Sequence, residues 1–180
     1  EVVALIEAYG RGPIYIAGHS YEGAVAMLAK EFTPVHHVVM CDTPLYLVVM
    51  QNEQSSKSYI KNQYKTVDEA ISRFKPIPNQ PIENMELFTL IAAQSIKKIE
   101  TGYTWQFDPM FHRRLVTQSD QDHIQKNASG MSYWYGEYSP FATEQTLQKA
   151  KALNMKLKMI PQAYHAVTVD APDFIFEHLI

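Results

Sequence analysis

Alternating strand and helix patterns predict an α/β fold built on a parallel sheet. Short apolar runs of strand length occur at 13–17, 35–41, 131–135 and 157–160. The run at 13–17 is almost uninterrupted, as in a central strand that is buried on both faces. Stretches with apolar residues at helical spacing lie between the runs. This alternation is typical of a parallel sheet with helices packed on its faces.

Composition indicates a folded protein and excludes a strongly basic nucleic-acid binder. The 180 residues are 46% apolar and 19% charged, with a formal net charge of −3, which leaves ample material for a packed core. No apolar run approaches the roughly 18 residues that a membrane-spanning helix needs. Cys41, the single cysteine of the sequence, cannot form an internal disulfide, so the cytoplasm is the expected compartment.

The first part of the chain predicts a helix, a strand, a second helix and a second strand. Apolar spacing over 2–9 indicates the first helix, which Gly10 is expected to close in the left-handed conformation. The strand at 13–17 precedes an alanine-rich helix over 22–32, and the strand at 35–41 follows it. The turn from the first strand into the second helix must therefore be sharp.

Residues 45–127 interrupt this alternation and are expected to form an inserted helical layer. The stretch has helical patterns, four of the ten prolines and no convincing buried strand. Thr66 is expected to cap a short helix, and Asn84 to cap a longer helix that runs through Ile99. The segment 76–81 between them must be extended, because proline fixes φ and disfavours helix in the residue before it.

The last part of the chain returns to strand and helix. Thr143 is expected to cap a helix whose core-facing stripe is formed by Leu147, Ala150 and Leu153. Asp170 is expected to be the N-cap of the final helix. The chain therefore ends as it begins, with strands and helices in alternation.

A serine lies where the first strand turns into the second helix. The segment reads Gly18-His19-Ser20-Tyr21-Glu22-Gly23. A serine on such a turn projects its hydroxyl from the end of the sheet, beside N–H groups at a helix N-terminus that favour negative charge. Ser20 is therefore a candidate nucleophile, and the alternative is an ordinary loop serine.

A histidine follows the last strand, in the segment Gln162-Ala163-Tyr164-His165-Ala166-Val167. An imidazole titrates near neutral pH, so it can accept the proton of a serine and return it to a leaving group. His19 lies within the turn and is expected to pack, to hydrogen-bond or to contact a substrate. The other five histidines show no metal-ligand spacing, so no metal site is predicted.

The serine and histidine segments together resemble the α/β-hydrolase family. The turn at Ser20 resembles the nucleophile elbow of that family, and the likeness extends over the first 44 and the last 53 residues. The resemblance implies a triad in which His165 is the general base, and an oxyanion hole to which the N–H of Tyr21 contributes. The order of serine first and histidine last agrees with the family.

The resemblance also implies a domain organisation. Residues 1–44 and 128–180 correspond to the hydrolase core, with about four parallel strands, and 45–127 to a helical cap. Family members normally have about eight strands, and their second oxyanion donor normally comes from a loop after an early strand. The chain is therefore expected to be an N-terminally truncated fragment of a protein of roughly 260–280 residues. The fragment by itself is expected to be inactive, because it lacks the N-terminal half of the sheet.

The acid of the triad is expected away from its usual position. Many family members have aspartate in a Gly-Glu-x-Asp motif, which here reads Gly136-Glu137-Tyr138-Ser139. Ser139 cannot hold a negative charge. Asp42, which closes the strand after the nucleophile helix, is the preferred acid, because some branches of the family place theirs at that strand end. Glu137 is the alternative acid, and a turn-initiating role remains open for Asp42.

A second departure from the family is at Glu22. The elbow usually has glycine two residues after the nucleophile, where strand and helix approach closely. A glutamate there is expected to be sterically awkward, unless it points into the mouth of the site.

The predicted function is a serine hydrolase that cleaves a small or medium carboxylic ester, or a related acyl bond, through an acyl-enzyme. Trp105 and Phe107 are candidates for an apolar substrate wall, or for anchors of the cap. No cofactor fingerprint is visible, so the expected partner is a small-molecule substrate without a cofactor. The alternative is a catalytically impaired relative that binds a small apolar ligand under its cap, which Glu22 and Ser139 favour. The oligomeric state is not predicted.

Overall fold

The structure is a computed structural model, and it describes residues 1–45, 62–107, 122 and 126–179. The helices and strands, in chain order, are α1 (Val2–Tyr9), β1 (Tyr15–His19), α2 (Tyr21–Phe32), β2 (His37–Cys41), α3 (Val67–Ser72), α4 (Met85–Gln94), β3 (Ile96–Ile99), β4 (Gly102–Trp105), β5 (Ser132–Gly136), α5 (Glu144–Ala152), β6 (Lys156–Ile160), α6 (Val167–Asp170) and α7 (Pro172–Leu179). Strands β1, β2, β5 and β6 form a parallel sheet in that order. The predicted α/β class, with four parallel strands and flanking helices, is confirmed.

The core lies on the two faces of β2, which pairs with β1 on one side and β5 on the other. On one face Val38 and Met40 pack with Met27 of α2. On the other face Val39 and Cys41 pack in a second apolar cluster. Burial on both faces explains why this strand is an almost continuous apolar run.

Strand β1 is not buried on both faces, so that prediction is wrong. It lies at the edge of the sheet formed by the described residues, and Ala17 is exposed. Only Gly18 of this strand is buried. An apolar run predicts a strand, but the order of the strands decides how much of it is covered.

Gly10 does not close α1 in the left-handed conformation, although the helix itself is confirmed. Its φ and ψ are −61° and 131°, which is extended backbone. A Cβ at this position would lie 2.5 Å from the carbonyl oxygen of Ile6. Close backbone approach, not a positive φ, therefore explains the glycine.

A β-hairpin begins within the last five residues of the helix that was expected to run through Ile99. Helix α4 ends at Gln94, and β3 and β4 then pair antiparallel. Tyr64 adds to the hairpin, since it exchanges two backbone hydrogen bonds of 2.9 Å with Tyr103. The indole N–H of Trp105 donates to the Tyr64 hydroxyl at 3.1 Å. These contacts between distant residues outweigh the helical spacing of the local sequence.

Three of the predicted N-caps are confirmed. The side-chain oxygens of Thr66, Asn84 and Thr143 accept the backbone N–H of the third residue that follows, at 3.1, 3.0 and 3.2 Å. Each cap satisfies a donor that the first turn of its helix would otherwise leave without an acceptor.

The expected domain bounds stay a prediction. Three parts of the expected cap, 46–61, 108–121 and 123–125, lie outside the described residues. Within the described part of the chain, no helix has both the length and the apolar character needed to cross a bilayer.

Two glycines let α2 begin directly against the sheet. A Cβ on Gly18 would lie 2.2 Å from the carbonyl oxygen of Glu22, and a Cβ on Gly23 would lie 1.8 Å from Thr43 Oγ1. The close approach of strand and helix therefore requires glycine at these two positions. Glu22 is exposed, so the steric conflict expected there is not present.

We expect Gly23→Ala to lower the free energy of unfolding by about 1–3 kcal/mol or more, because the new methyl group would overlap Thr43 Oγ1. Adding Thr43→Ala removes that oxygen and should recover part of the loss. Chemical denaturation of the four proteins of this double-mutant cycle measures the coupling. Fully additive losses would contradict the contact.

Candidate active site

Ser20 is held in a strained conformation at the junction of β1 and α2. Its φ of 55° and ψ of −121° are unusual for a residue with a Cβ. Its backbone N–H donates to the carbonyl of Cys41 at 2.8 Å, and its carbonyl accepts from the N–H of Gly23 at 3.1 Å. The neighbouring strand and the first helical turn therefore hold the serine in this geometry.

His165 lies in the loop between β6 and α6, and its residue surface is only 4% exposed. Its Nε2 is 3.1 Å from Ser20 Oγ, and its Nδ1 is 2.7 Å from Asp42 Oδ2. A carboxylate can only accept, so Nδ1 carries the proton and donates it to Asp42. Nε2 is then the acceptor that faces the serine hydroxyl.

Asp42 follows β2 and is fully buried. Its φ is 50°, so a second residue of this site has a strained backbone. Its N–H donates to the carbonyl of Trp134 at 2.6 Å, which ties it to β5. Its Oδ2 accepts hydrogen bonds from His165 Nδ1 and from the Ser139 hydroxyl.

The backbone of His165 is held from two directions. His19 Nε2 donates to the carbonyl oxygen of His165 at 2.6 Å, and the two imidazole rings are 4.8 Å apart. The N–H of His165 donates to Gln80 Oε1 at 3.0 Å. This contact is not predictable from the sequence, because nothing local links Gln80 to a residue 85 positions away.

Two acidic residues brace the histidine loop. Asp170 Oδ2 accepts from the N–H of Tyr164 at 2.9 Å, and Asp170 Oδ1 accepts from the N–H of Glu83 at 3.2 Å. Asp170 is the last residue of α6, so its prediction as the N-cap of the final helix is wrong. Glu137 accepts from the N–H of Gln162 at 2.9 Å. The acid of a triad would instead accept from the imidazole of His165, and that contact is made by Asp42.

Cys41 and Tyr133 lie close to Asp42 but are held in their neutral forms. Burial, reinforced by the charge of Asp42, raises the pKa of the Cys41 thiol to about 12. Burial, the charge of Asp42 and the neighbouring Tyr135 raise the pKa of Tyr133, whose hydroxyl donates to the carbonyl of Thr43 at 3.0 Å. The buried thiol therefore does not compete with Ser20 as a nucleophile.

A second serine–histidine pair lies at the other end of the sheet. His37 Nε2 is 2.8 Å from Ser132 Oγ, and these residues are the first of β2 and of β5. Burial lowers the pKa of His37, and Lys156 and Lys30 lower it further. This pair lies at the amino ends of the strands, whereas Ser20 and Asp42 lie at the carboxyl ends.

Three other predicted site residues lie on a helix, on a strand and after that strand. Tyr21 is the first residue of α2, so its N–H lies at the positive end of the helix dipole, directly after Ser20. Trp105 packs on Tyr64 and on Phe74 at centroid distances of 5.7 and 5.3 Å. Phe107 is 49% exposed. Roles of Tyr21, Trp105 and Phe107 in substrate or oxyanion binding stay predictions.

Within the described ranges, no group of three or more histidine, cysteine, aspartate and glutamate side chains is placed to hold a metal ion.

Comparison with known proteins identifies the fold through solved structures. No protein-family model and no curated protein matches the sequence. The thioesterase domain from the curacin biosynthetic pathway is 17% identical, with a TM-score of 0.77 over 99% of this chain and 70% of its own. An esterase from Mycobacterium tuberculosis is 15% identical, with a TM-score of 0.72 over 98% of this chain and 62% of its own.

A peroxisomal alpha-beta-hydrolase from Saccharomyces cerevisiae is 12% identical, with a TM-score of 0.68 over 98% of this chain and 54% of its own. The chain thus spans 54% to 70% of the length of these three structures. The chain has the α/β-hydrolase fold.

Proposed function

We propose that this chain is the catalytic core of a serine hydrolase that cleaves a small or medium carboxylic ester or a related acyl bond. One observation supports the proposal above all others. Ser20, His165 and Asp42 form a continuous hydrogen-bonded chain, with contacts of 3.1 and 2.7 Å. A structural role alone gives no reason for two strained residues to meet at one buried histidine.

In the proposed reaction, Ser20 is the nucleophile and His165 the general base. Nε2 of His165 accepts the hydroxyl proton as Ser20 Oγ attacks the carbonyl carbon. The tetrahedral intermediate collapses, the leaving group takes the proton from Nε2, and an acyl-enzyme remains. Water, activated by the same nitrogen, then releases the acid and restores the serine.

Asp42 is proposed as the acid that keeps the imidazole in the required tautomer. It holds the Nδ1 proton, so Nε2 stays the acceptor, and its charge stabilises the imidazolium that forms during the reaction. The oxyanion that develops on the substrate is proposed to bind the N–H of Tyr21, where the dipole of α2 favours negative charge.

The proposed substrate class draws on structures with this fold. Two of the similar structures are an esterase and a thioesterase domain. Both names denote cleavage of an acyl bond, so an ester or thioester carbonyl is the proposed target. Trp105 and Phe107 remain the proposed substrate wall. Because one fold hosts many reactions, the triad-like geometry and not the fold determines the proposed chemistry.

In the sequence, Glu22 and Ser139 are the two features that favour a non-catalytic ligand-binding protein. Glu22 is exposed and leaves the turn intact. Ser139 does not replace the acid but donates a hydrogen bond to it. Both features are therefore compatible with a working site, and catalysis is the preferred proposal.

His19 is proposed to act as a neutral support for His165. Burial lowers the pKa of His19, and this effect exceeds the opposing effect of its hydrogen bond to the His165 carbonyl. A neutral ring can donate from Nε2 without adding a second positive charge beside the imidazolium. The site therefore uses His19 for position and leaves proton transfer to His165.

We expect a fluorophosphonate probe to label the full-length protein with one equivalent, and Ser20→Ala to abolish the labelling. Only a serine activated by a base reacts readily with such probes. Intact mass spectrometry measures the adduct, and Ser129→Ala serves as the control for loss of a hydroxyl elsewhere. A folded full-length wild-type protein that gains no adduct would contradict the proposed function.

We expect Asp42→Asn to lower turnover of a p-nitrophenyl ester by up to about 10⁴-fold, because the amide no longer selects the required imidazole tautomer. Glu137→Gln is the matched control, since it makes the same chemical change in the alternative acid and should leave turnover nearly unchanged. A larger loss in Glu137→Gln than in Asp42→Asn would reverse the assignment of the acid.

We expect His19 to destabilise the fold as the pH falls. Its pKa in the folded protein lies below the unfolded value of about 6.5, so the unfolded chain binds the proton first. The contribution of neutral His19 is complete above pH 6.5 and is lost as the pH falls through the lower, folded pKa. The difference in unfolding free energy between wild type and His19→Gln should therefore shrink below pH 6.5. A difference that is independent of pH from 5 to 8 would exclude this role.

A further inference from the structure

Ser139 occupies a place in the hydrogen-bond network that the proposed reaction does not use directly. Its hydroxyl donates to Asp42 Oδ2, the oxygen that also accepts from His165 Nδ1. The Ser139 oxygen in turn accepts the backbone N–H of Phe141 at 3.1 Å. The side chain therefore links the buried carboxylate to the loop that follows β5.

We propose that Ser139 is a positioning residue for the acid: its hydroxyl holds Asp42 Oδ2 in the orientation that also accepts the Nδ1 proton of His165. This inference rests on the proposed hydrolase function, because the orientation matters for turnover only if His165 is the base.

The direction of each hydrogen bond supports this role. A serine hydroxyl has one proton, and the ionised carboxylate can only accept it. The N–H of Phe141 approaches the oxygen of Ser139, so the hydroxyl proton is left to point toward Asp42. The contact is thus a donor fixed in direction, not a freely rotating hydroxyl.

The Ser139 hydroxyl is important because the carboxylate that it contacts is buried. Asp42 is fully buried, and its other oxygen, Oδ1, has no hydrogen-bond partner among the described residues. The orientation of the carboxylate therefore depends on the two donors to Oδ2. A buried charge without enough donors is costly, so loss of the Ser139 hydroxyl should disturb the acid strongly.

The same loop also supports the base. The ring of Phe141 packs edge-on against the imidazole of His165, with 4.6 Å between the centroids. Ser139 and Phe141 therefore hold the acid and the base from one short segment. A shift of this segment would move both groups of the proposed triad.

Removing the hydroxyl should also change the hydrogen bond between Asp42 and His165. With one donor fewer, the Asp42 carboxylate attracts the Nδ1 proton of His165 more strongly, so the NMR signal of that proton should move downfield. The other titratable groups coupled to this pair are His19, Cys41 and Tyr133, with Glu22 acting on His19. Substitution of Ser139 leaves all of them in place.

The test compares Ser139→Ala with Ser139→Thr, which keeps a hydroxyl. We expect Ser139→Ala to lower kcat by about 10- to 100-fold, the rate equivalent of one hydrogen bond to a charged group, with little change in KM. We expect Ser139→Thr to retain most of the activity. Ser129→Ala controls for the loss of an exposed serine hydroxyl that bonds elsewhere.

A second measurement separates this inference from the proposed function. The NMR signal of the His165 Nδ1 proton should move downfield in Ser139→Ala and stay near its wild-type position in Ser139→Thr. This readout does not require turnover. If Ser139→Ala does not fold, Ser139→Cys, which has similar size and a weaker donor, should show the same changes to a smaller extent.

The outcomes are distinguishable. Equal kcat losses and an unchanged signal of the His165 Nδ1 proton in the alanine and threonine variants would show a packing role and overturn the positioning role of Ser139. An unchanged kcat together with an unchanged proton signal in Ser139→Ala would overturn it as well. A full-length wild-type protein that gives no fluorophosphonate adduct would overturn the proposed function, and with it the catalytic purpose of the contact, even if the proton signal moved.

Discussion

The buried carboxylate of Asp42 is the constraint on which the rest of the site depends. A negative charge that is removed from water must be hydrogen-bonded, or it costs several kcal/mol. Here two donors, His165 and Ser139, converge on one oxygen, and a backbone bond to Trp134 ties the residue to β5. The positive φ of Asp42 is tolerated because these contacts hold it. Three segments distant in sequence are thereby brought to one point.

Local geometry accommodates Glu22 and Ser139, the two residues that depart from the α/β-hydrolase pattern. The close packing of β1 against α2 falls on Gly18 and Gly23, so Glu22 can point to solvent. Ser139 lies where many relatives have the acid, and it still contacts the acid through Asp42 Oδ2. A residue that differs from the motif can therefore remain in the hydrogen-bond network. It then acts as a hydrogen-bond donor and carries no charge.

Segment 80–83 is connected to the histidine loop through two polar contacts. Gln80 accepts the N–H of His165, and the N–H of Glu83 donates to Asp170, which also holds Tyr164. A displacement of this segment would therefore reach the proposed base directly. Segment 80–83 is thus part of the support of the site.

Local signals in the sequence determined much of this protein: the four parallel strands, the capping residues Thr66, Asn84 and Thr143, and the choice of Ser20, His165 and Asp42 as site candidates. Each of these depends on residues within one strand, turn or helix. Tertiary structure alone decided the edge position of β1, the hairpin after α4, and the contacts made by Gln80, Ser139 and Asp170. These depend on the pairing and burial of groups far apart in the chain, which no local pattern encodes.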